Sequence, residues 1–147
     1  MEEKSITLKQ GLEKFYEDYR ENLSHKDDGL PDEVRHFFKS HDIAHVLFGC
    51  DISLFGEGSV KMWTIFGTTL GFWKHIEEYR KANAFELAKN FEPVSYLSNL
   101  LKLMCAIPLL ILRAKKMNRP WPWAEYENYL DTPIFKIREE FNIRVLK

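Results

Sequence analysis

The sequence predicts an all-α fold, a single-domain orthogonal bundle of about six to seven helices. Three observations predict it. Apolar residues recur with a helical period in several segments of the chain. No run between turn signals alternates apolar and polar residues, so almost no sheet is expected. The chain has 147 residues, and at that length roughly 69% of the unfolded surface is buried on folding, enough for one core.

The elements follow in order. From Ile6 to about Leu23, the residues Leu8, Leu12, Phe15, Tyr16 and Tyr19 share a 3.6-residue period and mark the first helix. SHKDDGLPDE is a turn-rich connector. Pro31 suits the first turn of the next helix, with Asp32 and Glu33 at its positive end. That helix runs through VRHFFKSHDIAHVLF to Gly49, a residue suited to a helix C-terminus. CDISLFGEG is a short connector. A long helix is expected from about Gly58 to Arg80; Gly67 and Gly71 weaken it but leave room for another backbone or a ligand. FELAKNF is a short helix. Pro93 opens a helix reaching Met117, in which Pro108 should cause a kink or a break. RPWPW is rigid and extended. WAEYENYLDTPIFKIREEFNI forms two short helices split at Asp131–Pro133.

Composition narrows the functions available. Lys and Arg total 21 against 22 for Asp and Glu, a net charge of −1, which gives no support to nucleic-acid binding. Cys50 and Cys105 cannot build a disulfide framework or a Cys-only zinc site, and both are read as reduced, packed thiols. The N-terminal MEEKSITLKQGLEKF lacks the apolar stretch of a signal peptide, so a cytoplasmic location is expected. The most apolar run is LMCAIPLLIL. Ten helical residues rise about 15 Å against about 30 Å of hydrocarbon, so no transmembrane helix is expected. Arg113, Lys115, Lys116 and Arg119 follow it. They suit the negative end of a buried helix and equally a peripheral membrane contact.

The informative stretch is HDIAHVLFGCDISLFGE. At about 100° per residue, His41, Asp42 and His45 stand near 0°, 100° and 40° on one helix face. Two imidazoles at this spacing can hold one cation, as in HExxH sites. Asp42 is one methylene shorter than the glutamate of those sites, and fits a ligand or an orienting group better than a general base. Glu57 lies past a glycine-bounded turn and can swing back as a further carboxylate. Two imidazoles with one or two carboxylates suit zinc or iron(II). No residue is assigned a catalytic role. His25, His36 and His75 stand apart from the motif and are read as surface or core residues.

The motif, HD-x2-H-x11-E, resembles the signature of the coenzyme Q biosynthesis protein 4 family, in a short bacterial-type form. Gly56, Glu57, Val60 and Lys61 are similar to that family's GE-x-x-VK segment, and the tail from Trp123 resembles its closing pattern. The resemblance covers roughly residues 31–147. It implies an all-helical fold and a divalent metal, zinc by expectation with iron as the alternative, held by His41, Asp42, His45 and Glu57. It also implies binding of a polyprenyl lipid or quinone precursor and peripheral association with the inner membrane. Partners would be other quinone-biosynthesis proteins, and a second copy of the chain in a homodimer. The implied chemistry is metal-dependent replacement of a carboxyl by a hydroxyl at head-group carbon 1.

The residues bear on the lipid expectation. After Glu57, one helix face carries Lys61, Thr64 and Thr68, with Trp63 among the apolar residues beside it; Phe48 lies one turn past His45. Lys61, Thr64, Trp63, Phe48 and Thr68 are therefore the candidate lipid or substrate residues, with core packing as the alternative. Two other functions compete. One is a non-catalytic lipid-binding or scaffold protein with a structural metal. The other is an HD-type phosphohydrolase, which needs a distant Asp; Asp131 is the only Asp after Asp51.

Overall fold

The computed structural model describes residues 6–20, 31–81 and 93–146. The architecture is all-α: it is 71% helical, with six α-helices and no strand among the described residues. In chain order these are α1 (Leu8–Asp18), α2 (Asp32–Phe48), α3 (Leu54–Gly67), α4 (Phe72–Lys81), α5 (Pro93–Lys115) and α6 (Ile134–Phe141). A 3-10 turn, Tyr126–Tyr129, precedes α6. The expected FELAKNF helix, the end of the first helix and His25 lie outside the described residues.

Local chemistry explains the boundaries. Thr7 caps α1 reciprocally with Gln10: the Gln10 N–H donates to Thr7 Oγ1 at 3.2 Å, and the Thr7 N–H donates to Gln10 Oε1 at 3.0 Å. α1 turns Leu8, Leu12 and Phe15 inward. α2 ends at Gly49, whose φ of 66° lies in the left-handed region that favours glycine. The Cys50 N–H then donates back to the His45 carbonyl at 2.9 Å. α3 starts earlier than expected because Ser53 caps it, its hydroxyl accepting from the Gly56 N–H at 3.1 Å.

One expectation about helix continuity fails, and of the two outcomes expected at Pro108 the break does not occur. The single helix from Gly58 to Arg80 is two helices, broken across Thr68–Gly71. Thr68 is extended, and Gly71 has φ 72°. The Thr68 hydroxyl donates to the Thr64 carbonyl at 2.7 Å and accepts from the Leu70 N–H, drawing the chain out of the helix. Pro108, in contrast, does not end α5, which runs on to Lys115.

α3 packs along α5 more extensively than any other pair of helices, and α2 lies against α1, α3 and α4. The RPWPW segment straps the end of α3. The Trp121 N–H donates to the Gly67 carbonyl at 2.8 Å, and the Thr69 N–H to the Trp121 carbonyl at 2.9 Å. Trp121 and Trp123 are both buried. α1 is stitched to the turn before α6 by backbone bonds from Leu8 to Thr132 and from Lys9 to Leu130. These contacts hold α2 and the start of α3 in a fixed relation.

Candidate metal centre

His41 and His45 stand one turn apart on α2, and Glu57 comes from the start of α3. The turn between the helices brings the carboxylate back over both rings. His41 Nε2 lies 3.7 Å from Glu57 Oε2, and His45 Nε2 lies 3.4 Å from Glu57 Oε1. One donor atom from each of the three residues falls within 4.8 Å of the others. A charge-assisted hydrogen bond would be shorter, about 2.7–2.9 Å. Donors held about 2.0–2.2 Å from one tetrahedral ion lie about 3.3–3.6 Å apart; the two imidazole–carboxylate distances, 3.4 and 3.7 Å, are close to that, within a set that spans up to 4.8 Å. The three side chains can therefore hold one metal ion.

The donor atoms are set up for that role. His45 Nδ1 is 3.1 Å from the Cys50 carbonyl oxygen. A carbonyl only accepts, so Nδ1 carries the proton and Nε2 presents its lone pair to the site. His45 Nε2 is buried and makes no hydrogen bond. Burial lowers the pKa of His41, against the raising effect of Asp42, so its ring is neutral near pH 7. Burial would raise Glu57, but His45, His41 and Lys61 outweigh it and hold its carboxyl at about 2. At neutral pH His41 is thus a neutral imidazole and Glu57 a carboxylate, the protonation states metal binding requires of them. Only Glu57 opens toward solvent: its side chain is 29% exposed, against 1% for that of His45.

Asp42 plays a different part from the other three. It is buried, and its Oδ1 lies 3.8 Å from His41 Nδ1, so it sits beside the ring on the side away from Glu57. That is the place of an orienting carboxylate, one of the two roles its length allows.

The candidate lipid residues are arranged as follows. Thr64 and Thr68 are buried, and their hydroxyls donate to the Val60 and Thr64 carbonyls. Phe48 and Trp63 are fully buried and stack in the core, centroids 4.7 Å apart and planes 6° from parallel. Lys61, half-buried, acts electrostatically on both Glu57 and His75.

Three contributors have no local sequence signal. Phe15 of α1 stacks on the His45 ring with centroids 5.4 Å apart, closing one side of the site. Arg138 of α6 donates from Nε to the Leu47 carbonyl at 2.8 Å and from Nη2 to the Val46 carbonyl at 3.0 Å. It thereby ties down the end of the helix that carries both histidines. His75 of α4 is buried, with a pKa lowered to about 4 by burial and by the fields of His41 and Lys61. It joins the surroundings of the site because the break at Gly71 turns α4 back against α2.

The fold and the site together define an all-α protein with a His–His–Glu group able to hold a metal ion. No protein-family model, curated protein or solved structure matches the chain.

Proposed function

We propose that this chain binds a divalent cation, zinc or iron(II), through His41, His45 and Glu57, and uses it on a prenylated aromatic acid of the ubiquinone-precursor type at a membrane surface. The observation that carries the metal reading is the convergence of three buried or half-buried donors at ion-compatible spacing. The head-group chemistry rests on the resemblance of the motif to the quinone-biosynthesis family. A bound divalent cation would supply a Lewis acid for a carboxyl oxygen; oxidative loss of carbon dioxide would further need iron or an external oxidant. The chain's own contribution is to hold the rings. The Cys50 carbonyl fixes the His45 tautomer, Asp42 orients His41, and Lys61 offers positive charge for a substrate carboxylate.

The exposure of Glu57 favours this reading over a purely structural metal, because it leaves the centre approachable from one side. The membrane part is supported by α5. Leu97, Leu101 and Met104 are each 60% exposed and Leu112 55%, in a stripe at helical spacing. The segment Leu97–Lys115 has mean hydropathy 1.6 and is 11% buried, so it passes a length-and-composition test for spanning that its ten-residue core alone does not. Two of the four expected cations serve the fold: Arg113 donates to the Arg144 and Val145 carbonyls, and Arg119 pairs with Glu140. Lys115 and Lys116 are exposed at the end of the stripe.

Elemental analysis of purified protein tests the centre. His45→Ala and Glu57→Ala should each lower bound metal to below about one-fifth of wild type, because each removes one of three donors from a centre whose ligand count sets its affinity. Unchanged metal in both variants overturns the assignment. Organic extraction of the same preparation should release a polyprenyl or other long-chain lipid. No lipid, together with no binding to liposomes, overturns the substrate class.

A further inference from the structure

Three groups hold the His45 ring. Its Nδ1 lies 3.1 Å from the Cys50 carbonyl oxygen. The His41 ring meets it edge to face, with centroids 4.7 Å apart and planes at 70°. The Phe15 ring lies against it at 5.4 Å, with the planes only 28° from parallel. An imidazole whose Nδ1 is engaged has Nε2 left to offer, and here that atom is buried 3.4 Å from Glu57 Oε1.

Phe15 is brought to this ring by features of its own helix. Gly11, one turn earlier on α1, faces α2 and α6: a Cβ there would stand 2.9 Å from Val46 Cγ1 and 2.6 Å from Ile134 Cδ1. Glycine thus lets α1 come down on α2 beside the residue that follows His45. Backbone bonds from Leu8 and Lys9 to Thr132 and Leu130 fix the start of α1. Past Phe15, the Tyr19 ring meets it edge-on at 4.9 Å. Phe15 is buried, yet it stands apart from the hydrophobic core cluster that takes Leu8 and Leu12 of the same helix. Its burial serves the row His45–Phe15–Tyr19 rather than the main core. α1 also precedes residues 31–147, so this row owes nothing to the family resemblance.

We propose that Phe15 is a positioning residue of the metal centre, which locks the plane of His45 and keeps one face of that ring dry. This rests on the metal reading. A turn of the imidazole about its Cβ–Cγ bond would carry Nε2 away from Glu57 and break the hydrogen bond to Cys50. The stacked ring and the His41 edge oppose that turn, as the groups around a ligand do when they fix its orientation. An aromatic pair contributes more than its buried area, so an apolar side chain without a ring does not replace it. A locked imidazole recaptures the ion before it escapes, and metal exchange is slow.

The test loads the full chain with zinc and follows transfer of the ion to an excess of a chromogenic chelator. Cys105 is replaced by Ser throughout, because it is exposed rather than packed as its sequence suggests, and a surface thiol would compete for zinc. Phe15→Leu should release zinc at least about tenfold faster, in line with the 10–100-fold cost of losing a group that orients a ligand. Phe15→Tyr keeps the ring and should stay within about twofold of wild type. Leu12→Val, in the core, should lower stability to urea and leave release within about twofold. With cobalt(II) in place of zinc, Phe15→Leu should alter the visible absorption that reports ligand geometry, and Leu12→Val should not. The proposal is overturned by release from Phe15→Leu no faster than wild type, by equal acceleration in Leu12→Val or Phe15→Tyr, or by an unchanged cobalt spectrum in Phe15→Leu. A wild-type chain that holds no zinc or cobalt overturns the metal reading, and this proposal with it.

Discussion

Burial sets the protonation of individual residues in this protein before any ion binds. His41 and His75 are 6% and 3% exposed, and desolvation holds both pKa values below 6.5, His75 at about 4. In the unfolded chain both would titrate near 6.5. As pH falls below that value the unfolded state takes up protons first, so stability is full above pH 6.5 and declines toward pH 4. Glu57, held at about 2 against 4.5 in the unfolded chain, stays ionised in the fold and steepens the lower part of this decline, because the unfolded carboxyl takes up a proton there. The melting temperature of metal-stripped protein should therefore drop between pH 7 and 4.5, and His75→Gln should flatten the decline. A wild-type profile flat over that range would contradict the burial argument. The pairing of His41 with His45 is legible in sequence, because helical periodicity is a local property. His75 is not, since its place depends on a helix break between Thr68 and Gly71. Phe15 is not either, because its contact with His45 spans 30 residues of chain.

The critical element is α2, and its C-terminal end is where sequence and tertiary contacts meet. Gly49 was readable as a stop; its φ of 66° explains why. Gly49→Ala should cost about 1–2 kcal/mol, the penalty for a side chain in the left-handed region, and a Cβ there would also press on Val145 at 3.3 Å. Urea unfolding measures this directly. Arg138 could be seen in sequence only as one charge in a short helix. In the fold it answers two carbonyls, of Val46 and Leu47, that a helix end leaves without partners. Arg138→Leu should destabilise by about 1–3 kcal/mol through those orphaned acceptors and weaken metal binding as His45 loses its anchor. Full stability and metal affinity in that variant would show that α2 needs no such tie. Helix continuity obeys the same rule. Thr68 and Gly71 end a helix through a hydroxyl–backbone competition and a positive φ, whereas Pro108 sits in a helix packed against α3.

At the scale of the whole molecule, metal and membrane should act as separable ligands. An ion that binds only the folded chain stabilises it by about 2.7 kcal/mol at a hundred times its dissociation constant. Zinc should thus raise the melting temperature of stripped protein, chelator should reverse it, and His45→Ala should abolish the response. The exposed stripe on α5 predicts binding to vesicles that is only weakly reduced by salt. Arg113 and Arg119 are engaged by carbonyl and carboxylate partners, and Lys115 and Lys116 are further exposed cations of that cluster. Co-sedimentation in low and high salt checks this; a loss of binding in high salt would instead make the attraction mainly electrostatic.

The all-α class, the register of His41 and His45 and the return of Glu57 after one turn were all readable in the chain, because each depends on residues near one another in sequence. Folding decided the rest. It placed Asp42 behind His41 rather than beside Glu57, and stacked Phe48 on Trp63 in the core. It also spent Arg113 and Arg119 on backbone and carboxylate partners, and left the leucines of α5 facing outward. The physical reason is that periodicity says which residues share a face, while the partner that covers the face is set by contacts between distant segments.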